Sequence, residues 1–209
     1  MSVSSEHSDQ NPSRLLGITG IILAGGKSNR YGKNKALVHF NGVPLIEKGI
    51  SVLQSLFENL ILVTNTPDEY AYLGLPMFRD LIKGLGPLGG IYTGLEAIED
   101  GWGFVTACDM PFLNHDLVRR IVSLKDEFDA VVPRVDWKIE ALHALYSKSC
   151  LPAIREMINT DEYQIIRLFQ KIRIKYLNEE EIRAVDPDLR SFTNINRPQE
   201  LSNALNSDE

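Results

Sequence analysis

Short apolar runs rich in β-branched residues alternate with segments whose apolar positions recur every three or four residues. This alternation predicts strands interleaved with helices, the pattern of an α/β fold. Residues 18–24 (Ile-Thr-Gly-Ile-Ile-Leu-Ala) read as a first buried strand. Pro44 suits the first turn of a helix carrying Ile46, Ile50, Leu53 and Leu56/Phe57. Residues 60–64 read as a second strand, leaving through Asn65-Thr66-Pro67-Asp68 into a short helix. Residues 75–79 form a third, weaker strand that ends at Asp80. A loop Gly84-Leu85-Gly86 precedes a helix opened by Pro87 and carrying Leu88, Ile91, Leu95 and Ile98. Residues 103–107 give a fourth strand, and Asn114 caps a helix to about Lys125. Residues 129–133 and 142–146 are two more strands. Helices over 147–158 and 162–169, a strand over 172–177, a helix over 179–185 and a terminal helix after Pro198 complete the expectation. No repeat or low-complexity linker interrupts the pattern. The expected organisation is a disordered polar tail over 1–14 and one domain over 15–209.

In open parallel sheets, ligands bind beyond the carboxyl ends of the strands. Here four successive strand ends carry polar chemistry: a glycine-rich loop after the first, Asn65 after the second, Asp80 after the third and Asp109 after the fourth. The loop, Leu23-Ala24-Gly25-Gly26-Lys27-Ser28-Asn29-Arg30-Tyr31-Gly32-Lys33-Asn34-Lys35, combines glycines with four cations. Glycines free the backbone for unusual dihedrals and for close approach of N–H groups to an anion. The loop is neither of two common phosphate loops. The first glycine of a P-loop would fall at Ile21, and Gly25-Gly26 followed by Gly32 does not fit G-x-G-x-x-G. Asp109, between an apolar strand and Met110-Pro111, suits Mg²⁺ at a polyphosphate, or else caps a turn. Asp80 could instead pair with neighbouring Arg79. Asn65 could be a turn residue or could read a base edge. His143, within a strand, reads as a satisfied structural histidine.

Composition narrows the partners. The 209 residues carry a net charge of −6, with 22 Lys+Arg against 28 Asp+Glu. A nucleic-acid role driven by global charge is therefore excluded, and any anionic substrate must meet local cations or a metal. Cys108 and Cys150 stand in no metal-binding spacing and read as small buried hydrophobes. There is no run of 18 apolar residues and no apolar leader, so no membrane role and a cytoplasmic location are expected.

Several motifs together carry a family resemblance. Leu23-Ala24-Gly25-Gly26-x-Ser28-x-Arg30-x-Gly32 followed by Lys35-Ala36-Leu37, Gly86-Pro87-Leu88-Gly89-Gly90, Cys108-Asp109-Met110-Pro111, Glu140-Ala141-Leu142-His143-Ala144-Leu145-Tyr146 and Phe192-Thr193-Asn194-Ile195-Asn196-Arg197-Pro198 occur in the family's order. The sequence resembles the molybdenum cofactor guanylyltransferases. That resemblance implies a Rossmann-like three-layer αβα sandwich with a mostly parallel central sheet, of the nucleotide-diphospho-sugar transferase type. It implies transfer of GMP from GTP to Mo-molybdopterin, with release of diphosphate and Mg²⁺ as cofactor. Leu23, Ala24, Gly25, Gly26 and Lys35 would contact the nucleotide, Asn65 and Asp80 its guanosine portion, and Asp109 both nucleotide and metal. Arg30, Lys35 and Asp109 are the expected catalytic groups, and Asn194 and Asn196 would lie near the pterin. Other cofactor-biosynthesis proteins and apo-molybdoenzymes are the implied protein partners, with the chain a monomer or weak oligomer.

Tyr31, Asn34 and Ala141 depart from the family's Met, Asp and Pro. Asn34 removes a carboxylate beside the phosphate lysine and leaves the loop more positive. The alternatives are a related enzyme using CTP or a sugar or isoprenoid phosphate acceptor, and a non-catalytic nucleotide-binding protein. Gly25-Gly26 and the Asn194-x-Asn196 pair favour the guanylyl reading. Lys35 and Asp109 favour catalysis.

Overall fold

A computed structural model describes residues 14–25 and 34–195. Its sheet begins with β1 (Ile18–Leu23), all six residues of which are buried. A short hairpin, β2 (His39–Phe40) and β3 (Val43–Pro44), leads into α1 (Leu45–Leu56). Then come β4 (Asn59–Val63), a 3₁₀ turn (Pro67–Leu73), β5 (Met77–Phe78), α2 (Pro87–Ala97), β6 (Trp102–Ala107) and α3 (His115–Val122). The second half holds β7 (Ala130–Val135), β8 (Lys138–Ile139), β9 (His143–Ser147), α4 (Leu151–Asn159), α5 (Ile165–Leu168), β10 (Ile174–Leu177) and α6 (Glu179–Arg183).

The main sheet has the order β10-β7-β9-β6-β1-β4-β5, with β8 pairing β7. The pairs β1–β4, β1–β6, β4–β5 and β7–β10 are parallel. Only β9 runs against its neighbours β6 and β7 within that path. From β1 the chain crosses through α1 to β4 and β5 on one side, then through α2 to β6 on the other. The two crossovers run in opposite senses, so right-handed connection places α1 and α2 on opposite faces.

Strand periodicity produces the two cores. In β1, Ile18 and Ile22 join α1 and α3 residues such as Ile50, Leu53, Leu117 and Ile121 in one cluster. Ile21 and Leu23 face the other way and join Leu88, Ile91 and Leu95 of α2 with Ile154 and Met157 of α4. A sheet buried on both faces and covered by helices is the expected three-layer αβα sandwich.

The closeness of α2 to β1 depends on missing side chains. A Cβ on Gly94 would stand 2.6 Å from Ile21 Cγ2, and one on Gly103 would stand 2.4 Å from Ile21 Cδ1. Ile21 is therefore held between two glycines and has no room to yield. Replacing Gly94 by alanine is expected to lower stability by about 1–2 kcal/mol, overpacking outweighing the helix-propensity gain. Thermal unfolding should show a Tm loss of about 2–4 °C per kcal/mol. An unchanged or raised Tm would contradict this packing.

The structure departs from the sequence expectations at particular places. The third strand narrows to Met77–Phe78, because only those two residues pair with β4. The helix expected over 162–169 shrinks to Ile165–Leu168, the chain before it turning at Asp161 with φ 58°. Asn114 caps α3 by accepting from the Asp116 and Leu117 amides, but that helix stops at Val122. Pro44 is the cap residue of α1 rather than part of its first turn. The terminal helix expected after Pro198 lies outside the described residues. Among the described residues no helix is long and apolar enough to cross a membrane.

Candidate nucleotide site

The four polar strand ends belong to four adjacent strands, β5-β4-β1-β6. All four run parallel, so Asp80, Asn65, Gly25 and Asp109 emerge in that order along one sheet edge. At about 4.8 Å between strands, the row covers about 14 Å. The ladder extends one step past the strands. The Ala24 amide donates to Val63 O at 2.9 Å, and the Cys108 amide donates to Leu23 O at 3.1 Å. Gly25 and Asp109 thus leave from fixed positions.

Gly25 is not among the residues with positive φ, so its glycine serves no left-handed turn. A Cβ there would meet nothing within 4 Å among the described residues, and the residue is exposed. No described residue fills the space directly above the end of β1. Beside it stands the first turn of α2. A Cβ on Gly90 would lie 3.0 Å from Leu23 Cδ1, so the positive end of the helix overlooks the same edge. Gly86, with φ 59° and ψ −143°, makes the turn into that helix in a region only glycine adopts easily.

Lys35 reaches across this edge to donate a hydrogen bond to Asp109 Oδ2 at 2.6 Å. The two are 74 positions apart in sequence and both are mostly covered, with side-chain exposures of 14% and 23%. Asn34 begins the 3₁₀ turn Lys35–Leu37 that carries the lysine. Its Oδ1 accepts from the Ala36 amide, and its Nδ2 donates to Glu69 Oε2 at 2.6 Å and to the Tyr70 hydroxyl at 2.8 Å. An aspartate here would cap the turn equally but would have no donor for Glu69. The departure at Asn34 is therefore matched to its neighbour as well as to the charge of the loop.

At the other end, Asn65 Nδ2 donates to Asp80 Oδ2 at 2.7 Å, and the Asp80 amide donates to Asn65 Oδ1 at 3.2 Å. The alternative Arg79–Asp80 pair does not form. Arg79 donates instead to Asn65 O at 2.7 Å. The reciprocal Asn65–Asp80 contact fixes an exposed amide against a half-buried carboxylate, groups that can meet the donors and acceptors of a base or ribose. Asn194 precedes Ile195, whose amide donates to Asp109 O at 3.1 Å. That bond brings the 186–195 segment to the acidic end of the row. Gly26, Arg30 and Asn196, named from the sequence as site residues, lie outside the described residues.

Neither cysteine offers a nucleophile. Burial and the adjacent Asp109 charge push the Cys108 thiol up to about 12, and burial does the same to Cys150. No group of three or more His, Cys, Asp or Glu side chains able to hold a metal occurs among the described residues. Asp109, at the β6 end of the row, offers the carboxylate oxygen that a hard divalent cation takes as a ligand.

A family model described as "MobA-like NTP transferase domain" matches residues 20–175. The chain belongs to this family. Among its relatives is a molybdenum cofactor guanylyltransferase from Desulfosudis oleivorans, 37% identical over 189 residues, 90% of this chain and 94% of the relative. The structure is also similar to molybdopterin-guanine dinucleotide biosynthesis protein A from Archaeoglobus fulgidus. That likeness has a TM-score of 0.78 and 27% identity, covering 91% of this chain and 100% of the other. The fold alone is shared with 4-diphosphocytidyl-2C-methyl-D-erythritol synthase from Anaerococcus prevotii, at TM-score 0.63 and 13% identity. As a MobA-like member, the chain is a nucleotidyltransferase.

Two features of the site region escaped the sequence. One is the reversed strand β9, which places residues 140–142 beside the Asp109 end. The other is His143, the first residue of that strand. It is fully buried, and against expectation it is not satisfied: neither ring nitrogen has a hydrogen-bond partner among the described residues. Nothing in an alternating apolar segment signals that its one polar member will lack partners.

Proposed function

We propose that this protein transfers GMP from GTP to the terminal phosphate of Mo-molybdopterin, releasing diphosphate and forming the guanine dinucleotide cofactor. The observation that carries the reading is the convergence of Lys35 and Asp109 at the β1/β6 edge, between the α2 N-terminus and the row that ends in Asn65 and Asp80. The identity to a named guanylyltransferase over nine-tenths of the chain supports the choice of nucleotide and acceptor.

In this reading the triphosphate lies over Leu23, Ala24 and Gly25, where the absent Cβ leaves room and the helix end favours negative charge. The guanosine end rests on Asn65 and Asp80. Lys35 gives up its bond to Asp109 and takes a phosphate oxygen, so the positive charge stays at the site while its partner changes. Asp109 would then be the residue that holds Mg²⁺. The metal supplies charge neutralisation at the α-phosphate and the leaving diphosphate. No protein nucleophile is required, because the acceptor phosphate is already an anion and the barrier is largely repulsion and positioning. On the motif alone, Arg30 would add a second cation, and Asn194 and Asn196 would serve the pterin.

The deciding measurement is turnover of Mo-molybdopterin with GTP against CTP in the presence of Mg²⁺. A clear preference for GTP is expected. Preference for CTP would replace the guanylyl reading by a cytidylyl one, and absence of any transfer would leave a nucleotide-binding protein.

A further inference from the structure

Beyond Asp109, on the side away from Asn65 and Asp80, lies β9 and then β7 with its hairpin partner β8. Because β9 is antiparallel to β6, its beginning rather than its end stands at the nucleotide edge. The residues that lead into it are Glu140, Ala141 and Leu142. The Ala107 amide donates to Leu142 O at 3.2 Å, which sets this segment alongside the chain that ends in Asp109. Glu140 is pinned by its backbone on both sides: its amide donates to Pro133 O at 2.9 Å, and its carbonyl accepts from the His143 amide at 3.1 Å.

The Glu140 side chain is handled differently. It is half-buried, and its carboxylate accepts no hydrogen bond and forms no ion pair with any described residue. Burial raises its carboxyl above the ordinary range, the Lys138 charge opposing only through space. Such a carboxylate takes its donors from water on its exposed side and can exchange them for those of a ligand.

We infer that Glu140 recognises the aminopyrimidinone edge of the acceptor's pterin ring, accepting from the ring N3–H and the 2-amino group. This rests on the proposed function and adds a contact residue to it. Three considerations converge. A carboxylate repels phosphate, so Glu140 faces the acceptor's ring and not its anionic arm. Two adjacent N–H donors in one plane match the two oxygens of a carboxylate. The placement gives a continuous order along the edge: guanosine at β5 and β4, phosphates at β1, Asp109 at β6, and the acceptor's ring end beyond it.

The test compares 6-hydroxymethylpterin phosphate with the corresponding lumazine phosphate, in which a carbonyl replaces the 2-amino group. Fluorescence titration of the wild-type protein should show the pterin bound about 10- to 100-fold more tightly than the lumazine. E140Q, which keeps the shape but swaps one acceptor for a donor, should lose that discrimination while its affinity for GTP stays unchanged. Its Tm should not fall, since the native carboxylate has no donor to lose. E140D, which keeps both acceptors, should retain part of the preference. Equal or absent binding of the two probes by the wild type would overturn the inference, as would retained discrimination in E140Q or a loss that appears in GTP affinity instead. Pterin discrimination without GMP transfer would overturn the proposed function and leave Glu140 in place.

Discussion

Replacing Asp109 with asparagine is expected to slow GMP transfer by about 10²–10³-fold, with the loss in kcat rather than in folding. The asparagine keeps the shape and one acceptor oxygen but removes the charge that balances Lys35 and would hold a cation against the phosphates. Stability should change little. The asparagine oxygen can still accept from Lys35, so although the pair is mostly covered, with side-chain exposures of 14% and 23%, loss of its charge costs on the order of 1 kcal/mol. Titration with Mg²⁺ separates the roles: the variant should need more metal to reach its reduced maximum. Wild-type kcat at the same Mg²⁺ concentration would remove Asp109 from the metal and the chemistry. An equal loss of Tm and activity would reduce the contact to a structural bridge.

That contact also marks the boundary of what could be read from the chain. β1, β4 and β6 were legible because strands buried on both faces appear as continuous apolar runs. Their polar end residues stood out against those runs, and the parallel order β5-β4-β1-β6 turned four sequence positions into one row. Pairing was not legible. Nothing in residues 143–147 distinguishes a strand running with β6 from one running against it, since the alternation of faces is the same in both directions. The two-residue strands β2, β3 and β8 exist through their partners and not through composition. Lys35 and Asp109 were each visible as charged residues in suggestive places, but their bond is a consequence of tertiary folding across 74 positions. Arg30 lies outside the described residues, so its place in the chemistry rests on the motif alone.

His143 should make the protein acid-sensitive in a way that one substitution removes. The imidazole is fully buried, edge-on to the rings of Phe104 and Phe192 at centroid distances of 5.3 and 5.2 Å, and neither nitrogen is hydrogen-bonded to a described residue. Burial lowers its pKa to about 4 from an ordinary value of 6.5, and the nearby Asp186 charge opposes this only in part. In the unfolded chain the ring regains its ordinary value, so between these two pH values the unfolded state binds a proton that the folded state refuses. Stability is therefore full above about pH 6.5, falls as the pH drops toward 4, and loses nothing further from this group below that. The difference corresponds to about 3 kcal/mol. His143→Leu, similar in volume and unable to titrate, should flatten the dependence. Urea unfolding across pH 7.5 to 4.5 tests this through the difference in slope between the two proteins, so any fixed packing penalty of the leucine cancels. Parallel pH profiles would mean that the imidazole gains a proton without unfolding. The Phe192 ring would then have to move aside, and with it the 186–195 segment, whose Ile195 amide is bonded to Asp109 O.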